Sequence, residues 1–132
     1  DVLVHSIIDA LLGALDKGDI GDHFPSSDNR FKHADSMPLL NDVYQQFIRQ
    51  SWDIANIDST IILQEPIVKP HIEQMKKNIY GAFLSKEDAM TDAFDSGGNI
   101  SVKATTTDHL GFIGEKKGIA VISTCLLIRK ND

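Results

Sequence analysis

The chain has 132 residues, 42% of them hydrophobic and 24% charged, with a formal net charge of -6. That length suits one domain with one core, and no apolar run reaches the roughly 20 residues of a membrane span. The acidic balance excludes a reader of nucleic-acid backbones, which needs a contiguous Lys/Arg surface.

The chain opens at Asp1, directly inside a helical pattern with no initiator Met or signal segment, so further sequence is expected upstream. Val4, Ile8, Leu11 and Leu15 recur at helical spacing and Gly18 follows as a stop signal, which predicts an amphipathic helix over residues 1–15. Residues 16–34 hold Gly18, Gly21, Pro25 and several aspartates without either period, and read as a long loop. Asp35 or Ser36 caps a second helix with Leu39, Leu40, Val43, Tyr44, Phe47 and Ile48 on its apolar side.

Residues 53–64 alternate and are rich in Ile and Thr, as a strand requires. Pro70 opens a third helix lined by Ile72, Met75, Ile79 and Phe83. Residues 85–99 lack periodicity and read as a loop insertion. Two further strands, 100–104 and 118–129, complete an α/β or α+β layer with helices on one sheet face. The last strand is apolar on both sides, with Ala120, Ile122, Leu126 and Ile128 on one and Ile119, Val121, Cys125 and Leu127 on the other. A second subunit is the economical cover for the extra apolar face. Cys125, the single cysteine, excludes a disulfide framework or cysteine zinc cluster and reads as a core thiol.

Three constellations carry potential chemistry. Asp1, His5 and Asp9 stand at i, i+4 and i+8, one stripe of a helix, where His5 suits a divalent metal and a carboxylate suits its orientation or the substrate. A polar flank with one satisfied histidine gives the same pattern. Gly18-Asp19-Ile20-Gly21 suits a turn that presents a carboxylate and bare backbone, with Phe24-Pro25 as an apolar wall, and equally suits an ordinary Gly-rich turn. Lys103-Ala104-Thr105-Thr106-Thr107-Asp108 gathers hydroxyls and an acid where a strand ends, which fits a metal-bridged diphosphate as well as a capped Thr-rich strand. His23, His33, His71 and His109 have no ligand-like spacing and read as loop or surface residues.

Taken together, D-V-x-x-H-x-x-x-D-A-L-L-G-A, G-D-I-G-x-x-F-P, the strand 57–64 followed by Pro66 and Pro70-His71-Ile72, V-K-A-T-T-T, L-G-F-x-G and G-I-A resemble the 2-C-methyl-D-erythritol 2,4-cyclodiphosphate synthase family, in order and along nearly the whole chain. The resemblance implies a small mixed four-stranded sheet and a homotrimer with sheets around the threefold axis and active sites between subunits. It also implies a lyase of non-mevalonate isoprenoid synthesis, in which 4-diphosphocytidyl-2-C-methyl-D-erythritol 2-phosphate closes to the cyclodiphosphate and releases CMP. The alternative is a catalytically impaired trimeric nucleotide-binding protein.

The roles that follow are those the resemblance implies. His5 is one ligand of a zinc or similar divalent site whose other ligands sit on a strand upstream of Asp1, and Asp108 serves Mg²⁺ or Mn²⁺. Asp9, Asp19, Ile20, Gly21, Phe24, Pro25, Ser26 and Asp28 bind the methylerythritol portion. Leu63, Gln64, Glu65, Pro66, Ile67, Val68 and Lys69 cradle the cytidine. Thr105, Thr106 and Asp108 serve the diphosphate, with Thr106 as transition-state stabiliser, and Thr107 and Phe112 are further substrate-binding residues. Four departures stand out: Ser26 for a common Asp, Ile67 for a common Lys, Asp108 for Glu and Glu115 for Arg. Ile122 also occupies a position often taken by Glu, and a plastid stroma is the expected compartment, with the bacterial cytoplasm as alternative.

Overall fold

The computed structural model describes residues 2–30, 35–84 and 99–131. The expectations for Asp1, for His33 and for a loop insertion over 85–98 lie outside the described residues, while Asn99, read as its last residue, begins a strand.

Helix α1 spans Val2–Ala14 and buries Leu3, Val4, Ile7, Ile8, Leu11 and Leu12, a stripe with helical period. Each such side chain contributes about 1.5–3 kcal/mol on leaving water, which outweighs the modest helix propensity of its β-branched members. The chain then turns through Asp16 and Gly18, both at positive φ. The predicted long loop contains a one-turn helix, α2, Ile20–His23. Its driving force is a capping box: the Asp19 carboxylate accepts the Asp22 N–H at 3.0 Å while the Asp22 carboxylate accepts the Asp19 N–H at 3.1 Å.

Helix α3, Ser36–Val43, starts at the N-cap Asp35 and runs into a π-helical turn, Tyr44–Ile48, so the predicted second helix continues as one rod with a widened last turn. Strand β1, Trp52–Ile62, is central. A 3₁₀ turn at Lys69–His71 leads into α4, Ile72–Ala82. Strand β2, Asn99–Thr105, a short helix α5, Gly111–Gly114, and strand β3, Ala120–Arg129, complete the described chain.

The sheet order is β2-β1-β3. Strand β2 lies parallel to β1 from Asn56↔Asn99 to Ile62↔Thr105, and β3 lies antiparallel from Trp52↔Arg129 to Ile62↔Ala120. Among the described residues there are three strands where the resemblance implies four, and the three strand-like runs of the sequence account for all of them. A register shift between Ile54 and Asn56 inserts one residue, so the buried positions fall at Ile54, Ile57, Ser59 and Ile61 rather than on strict alternation. These side chains, with Ile100 and Val102, meet α1, α3 and α4 in one core. Val121, Cys125 and Leu127 of β3 pack against the same core, while Ile122, Leu126 and Ile128 are 62%, 57% and 53% exposed on the other face. The two-sided apolar reading of β3 thus separates into a helix-covered side and an open side.

Candidate active site

One group of candidate residues sits where α1 crosses β3. His5 and Asp9 are exposed, one turn apart on α1, and line a groove of about 540 Å³ with Ser6, Ile122 and Ser123. The helix is fixed there by a hydroxyl ladder: Ser6 Oγ donates to Ser123 Oγ at 2.8 Å, and Ser123 and Ser59 hydroxyls meet at 2.8 Å, with Ser59 fully buried. Asp9 reaches across to α2, where its Oδ1 accepts the Ile20 N–H at 2.8 Å. The Asp19–Gly21 segment is therefore the capped start of a helix, and its first two N–H groups face carboxylates as helix electrostatics favours. Gly18, at φ 85°, leaves no room for a Cβ because the Asp22 carboxylate lies against it.

The wall beyond this turn is Phe24 and Pro25, both half-buried, with Ser26 exposed. Asp28 is engaged by Arg30: Nη2 donates to Oδ2 at 2.8 Å, Nε at 3.2 Å, and the Arg30 backbone N–H donates to Oδ1 at 2.9 Å. The forked guanidinium bond, then the backbone bond, hold the Asp28 carboxyl below the usual carboxylate range. His23, read as a surface histidine, has its Nε2 on the Lys17 carbonyl at 2.7 Å and its ring edge-on to Phe47 at 5.3 Å, so it ties the loop to the π-helical turn.

The second group gathers at the shared carboxyl-terminal end of the parallel strands. Because Ile62 pairs with Thr105, the chain leaving β1 and the chain leaving β2 emerge side by side, and the Leu63 N–H donates to the Thr105 carbonyl at 3.0 Å. The turn that follows holds Asp108 and His109 at φ 53° and 65°, conformations Asp and His tolerate better than bulkier residues. Thr106 Oγ1 accepts the Asp108 N–H at 3.2 Å, and Thr107 Oγ1 donates to the Leu110 carbonyl at 2.7 Å. Gln64 Oε1 accepts the His109 N–H at 3.0 Å, and Glu65 pairs with Lys116 at 3.3 Å. Gly114 packs directly on the His109 backbone, where a Cβ would clash. Thr105, Thr106 and Asp108 stay exposed, as do Glu65, Pro66, Ile67 and Lys69 of the adjoining loop, with Leu63 and Val68 half-buried. Phe112 is 60% exposed, its ring against Gly118.

The structure thus joins Leu63–Lys69 to Thr105–Asp108 at the ends of β1 and β2, and His5 to Asp9 and Asp19–Gly21 where α1 crosses β3. Among the described residues no three His, Cys, Asp or Glu side chains converge as a metal-holding set. The fit to a divalent metal is partial: His5 offers an exposed imidazole, and Asp9 has committed Oδ1 to Ile20. Cys125 Sγ lies 3.4 Å from the Ala10 carbonyl and burial pushes its thiol up, as expected of a core thiol. The sequence does not single out Ser6, Ser59 and Ser123, whose partners are 64 to 117 residues away and leave no local signal, and His109, read as a loop or surface residue, gives its backbone N–H to Gln64.

A sequence profile of the YgbB family matches residues 1–128. The chain is 48% identical over 128 residues, 97% of its own length and 73% of the relative's, to the 2-C-methyl-D-erythritol 2,4-cyclodiphosphate synthase of Clostridioides difficile. It is 43% identical over 130 residues, 98% of its length and 74% of the relative's, to the enzyme of the same name from Synechocystis. Among solved structures it is similar to the bifunctional IspDF of Campylobacter jejuni, with TM-score 0.81 and 41% identity, covering 100% of this chain and 33% of that one. It is also similar to the CDP complex of IspF from Plasmodium falciparum, with TM-score 0.76 and 34% identity over 99% of this chain and 72% of that one.

Proposed function

We infer that this chain, which belongs to the YgbB family, is a 2-C-methyl-D-erythritol 2,4-cyclodiphosphate synthase. It is a metal-dependent lyase of non-mevalonate isoprenoid synthesis that closes 4-diphosphocytidyl-2-C-methyl-D-erythritol 2-phosphate to the cyclodiphosphate. An oxygen of the 2-phosphate attacks the β-phosphorus, the bond from that phosphorus to the bridging oxygen breaks, and CMP leaves with the electron pair. The observation that carries the reading is the family match along residues 1–128, with the motif V-K-A-T-T-T at the end of β2 and tied to the 63–69 loop by the Leu63 N–H on the Thr105 carbonyl. The impaired nucleotide-binding alternative is not favoured.

The residue roles are proposals. Leu63–Lys69 cradles the cytidine, in keeping with a relative solved with CDP. Thr105 and Thr106 present hydroxyls to the diphosphate, with Thr106 stabilising charge as it develops on the reacting phosphate. Thr107 and Phe112 shape that turn. The exposed Asp19 carboxylate, with Ile20, Gly21, Phe24, Pro25, Ser26 and Asp28, receives the methylerythritol part. His5 contributes one imidazole to a zinc-like site completed by donors outside the described residues, and Asp108 serves Mg²⁺ or Mn²⁺. Bound metal would neutralise the diphosphate.

A homotrimer with active sites between neighbours is the assembly proposed. Two observations support it: the open apolar face of β3, and the gathering of the candidate residues in two distinct groups, one at the ends of β1 and β2 and one where α1 crosses β3, each of which a neighbour's complementary group would complete. The curated relatives named above are bacterial, so the bacterial cytoplasm is the compartment proposed, and they lend the plastid stroma no support. The test supplies the protein with substrate, Zn²⁺ and Mg²⁺ and follows CMP and the cyclic diphosphate, with sedimentation to fix the oligomer. A correctly folded trimer that releases no CMP rejects the activity, and an active monomer rejects the shared site.

A further inference from the structure

We propose that Asp9 is a positioning residue that holds the Asp19–Gly21 turn through the Ile20 amide, rather than a residue that touches the substrate. The proposal rests on the cyclase reading, in which Asp19 receives the substrate. Asp9 Oδ1 accepts the Ile20 N–H at 2.8 Å, shorter than either bond of the capping box. That bond crosses from α1 to the first residue of α2, linking the rigid, buried rod of α1 to a one-turn helix that has no buried residue of its own. A helix of four residues cannot hold itself against chain entropy. The capping box closes α2 locally without saying where it sits, while Asp9 fixes its start to α1, which the Ser6–Ser123–Ser59 ladder in turn fixes to the sheet. Asp9 therefore sets the place of the Asp19 carboxylate relative to His5, one turn away on α1.

The bond needs an acceptor oxygen and not a charge, and this separates positioning from contact with a substrate or metal. Asp9→Asn keeps a carbonyl oxygen in reach of Ile20, while Asp9→Ala removes it. Amide hydrogen exchange on the intact protein should show Ile20 protection falling about tenfold in Asp9→Ala, the scale of one charge-assisted bond. Asp9→Asn should keep most of it. In the cyclase assay Asp9→Ala should raise KM about tenfold with kcat changed little, as loss of uniform binding requires, and Asp9→Asn should restore KM. Equal Ile20 protection in all three proteins overturns the proposal, as does an Asp9→Asn variant as impaired as Asp9→Ala. Should the unsubstituted protein release no CMP, the cyclase reading fails on that measurement while the exchange data still decide what Asp9 holds. Unaltered exchange at Ile57 and Ile61 identifies variants that have kept their fold.

Discussion

The helix-borne group of candidate residues and the strand-end group are held by different physics. Around α2 the bonds are short in sequence: Asp9 to Ile20, Asp19 to Asp22, Asp28 to Arg30, each a carboxylate on a nearby backbone N–H or guanidinium. At the strand ends the deciding contacts are long: Ile62 beside Thr105, Gln64 on His109, Glu65 on Lys116. The first group depends on carboxylate oxygens accepting from groups near in sequence and the second on sheet register. They should therefore fail under different insults.

The sharpest probe of this contrast is Thr106→Ala, which should cut kcat about 100-fold in a CMP-release assay, the scale of one lost transition-state donor. Because Thr106 stands in the strand-end group, Ile20 exchange should not move. Next is Ser123→Ala. Ser6 retains the Val121 carbonyl at 3.3 Å, but the fully buried Ser59 hydroxyl loses its partner, which should cost about 1–3 kcal/mol in urea unfolding.

Gln64→Ala should cost about 1 kcal/mol and raise KM while leaving Asp19 in place, because it frees the His109 N–H at the edge of the threonine turn. The smallest effect is that of acid. Arg30 lowers the folded-state value of Asp28, so its contribution is fully present above about pH 4, the ordinary carboxylate value, and disappears as pH falls through the lower folded value. Arg30→Ala should move the Asp28 titration, read by NMR, upward toward the ordinary range, with the backbone N–H of residue 30 keeping part of the lowering. An unmoved titration would show that the fork is not what orders the loop.

Much of the scaffold was legible in the sequence because each of its elements carries its own period. The stripe Val4, Ile8, Leu11 gave α1 to within one residue at either end, and the Ile/Thr run gave β1. The two-sided β3 pattern separated the covered and open faces correctly. α2 escaped because glycines at 18 and 21 speak for a loop, although Asp19 and Asp22 stand at capping-box spacing with Asp in place of the usual Glu. The widened turn at Tyr44–Ile48 has the composition of ordinary helix, and nothing in those five residues announces it. The candidate site residues stand out in the sequence as motifs, but the sequence did not show that Asp9 is already occupied by Ile20. That bond depends on how α1 and α2 meet, which only packing decides.

The parallel pairing of β1 with β2 also fixes the end at which β2 enters the sheet. Strand β2 enters the sheet at Asn99 and reaches Thr105 six residues later, about 20 Å further on. Whatever connects Leu84 to Asn99 therefore joins the sheet at the pole opposite the threonines. A reporter or handle spliced into that connector therefore meets the sheet a full strand length away from the candidate diphosphate hydroxyls of Thr105 and Thr106.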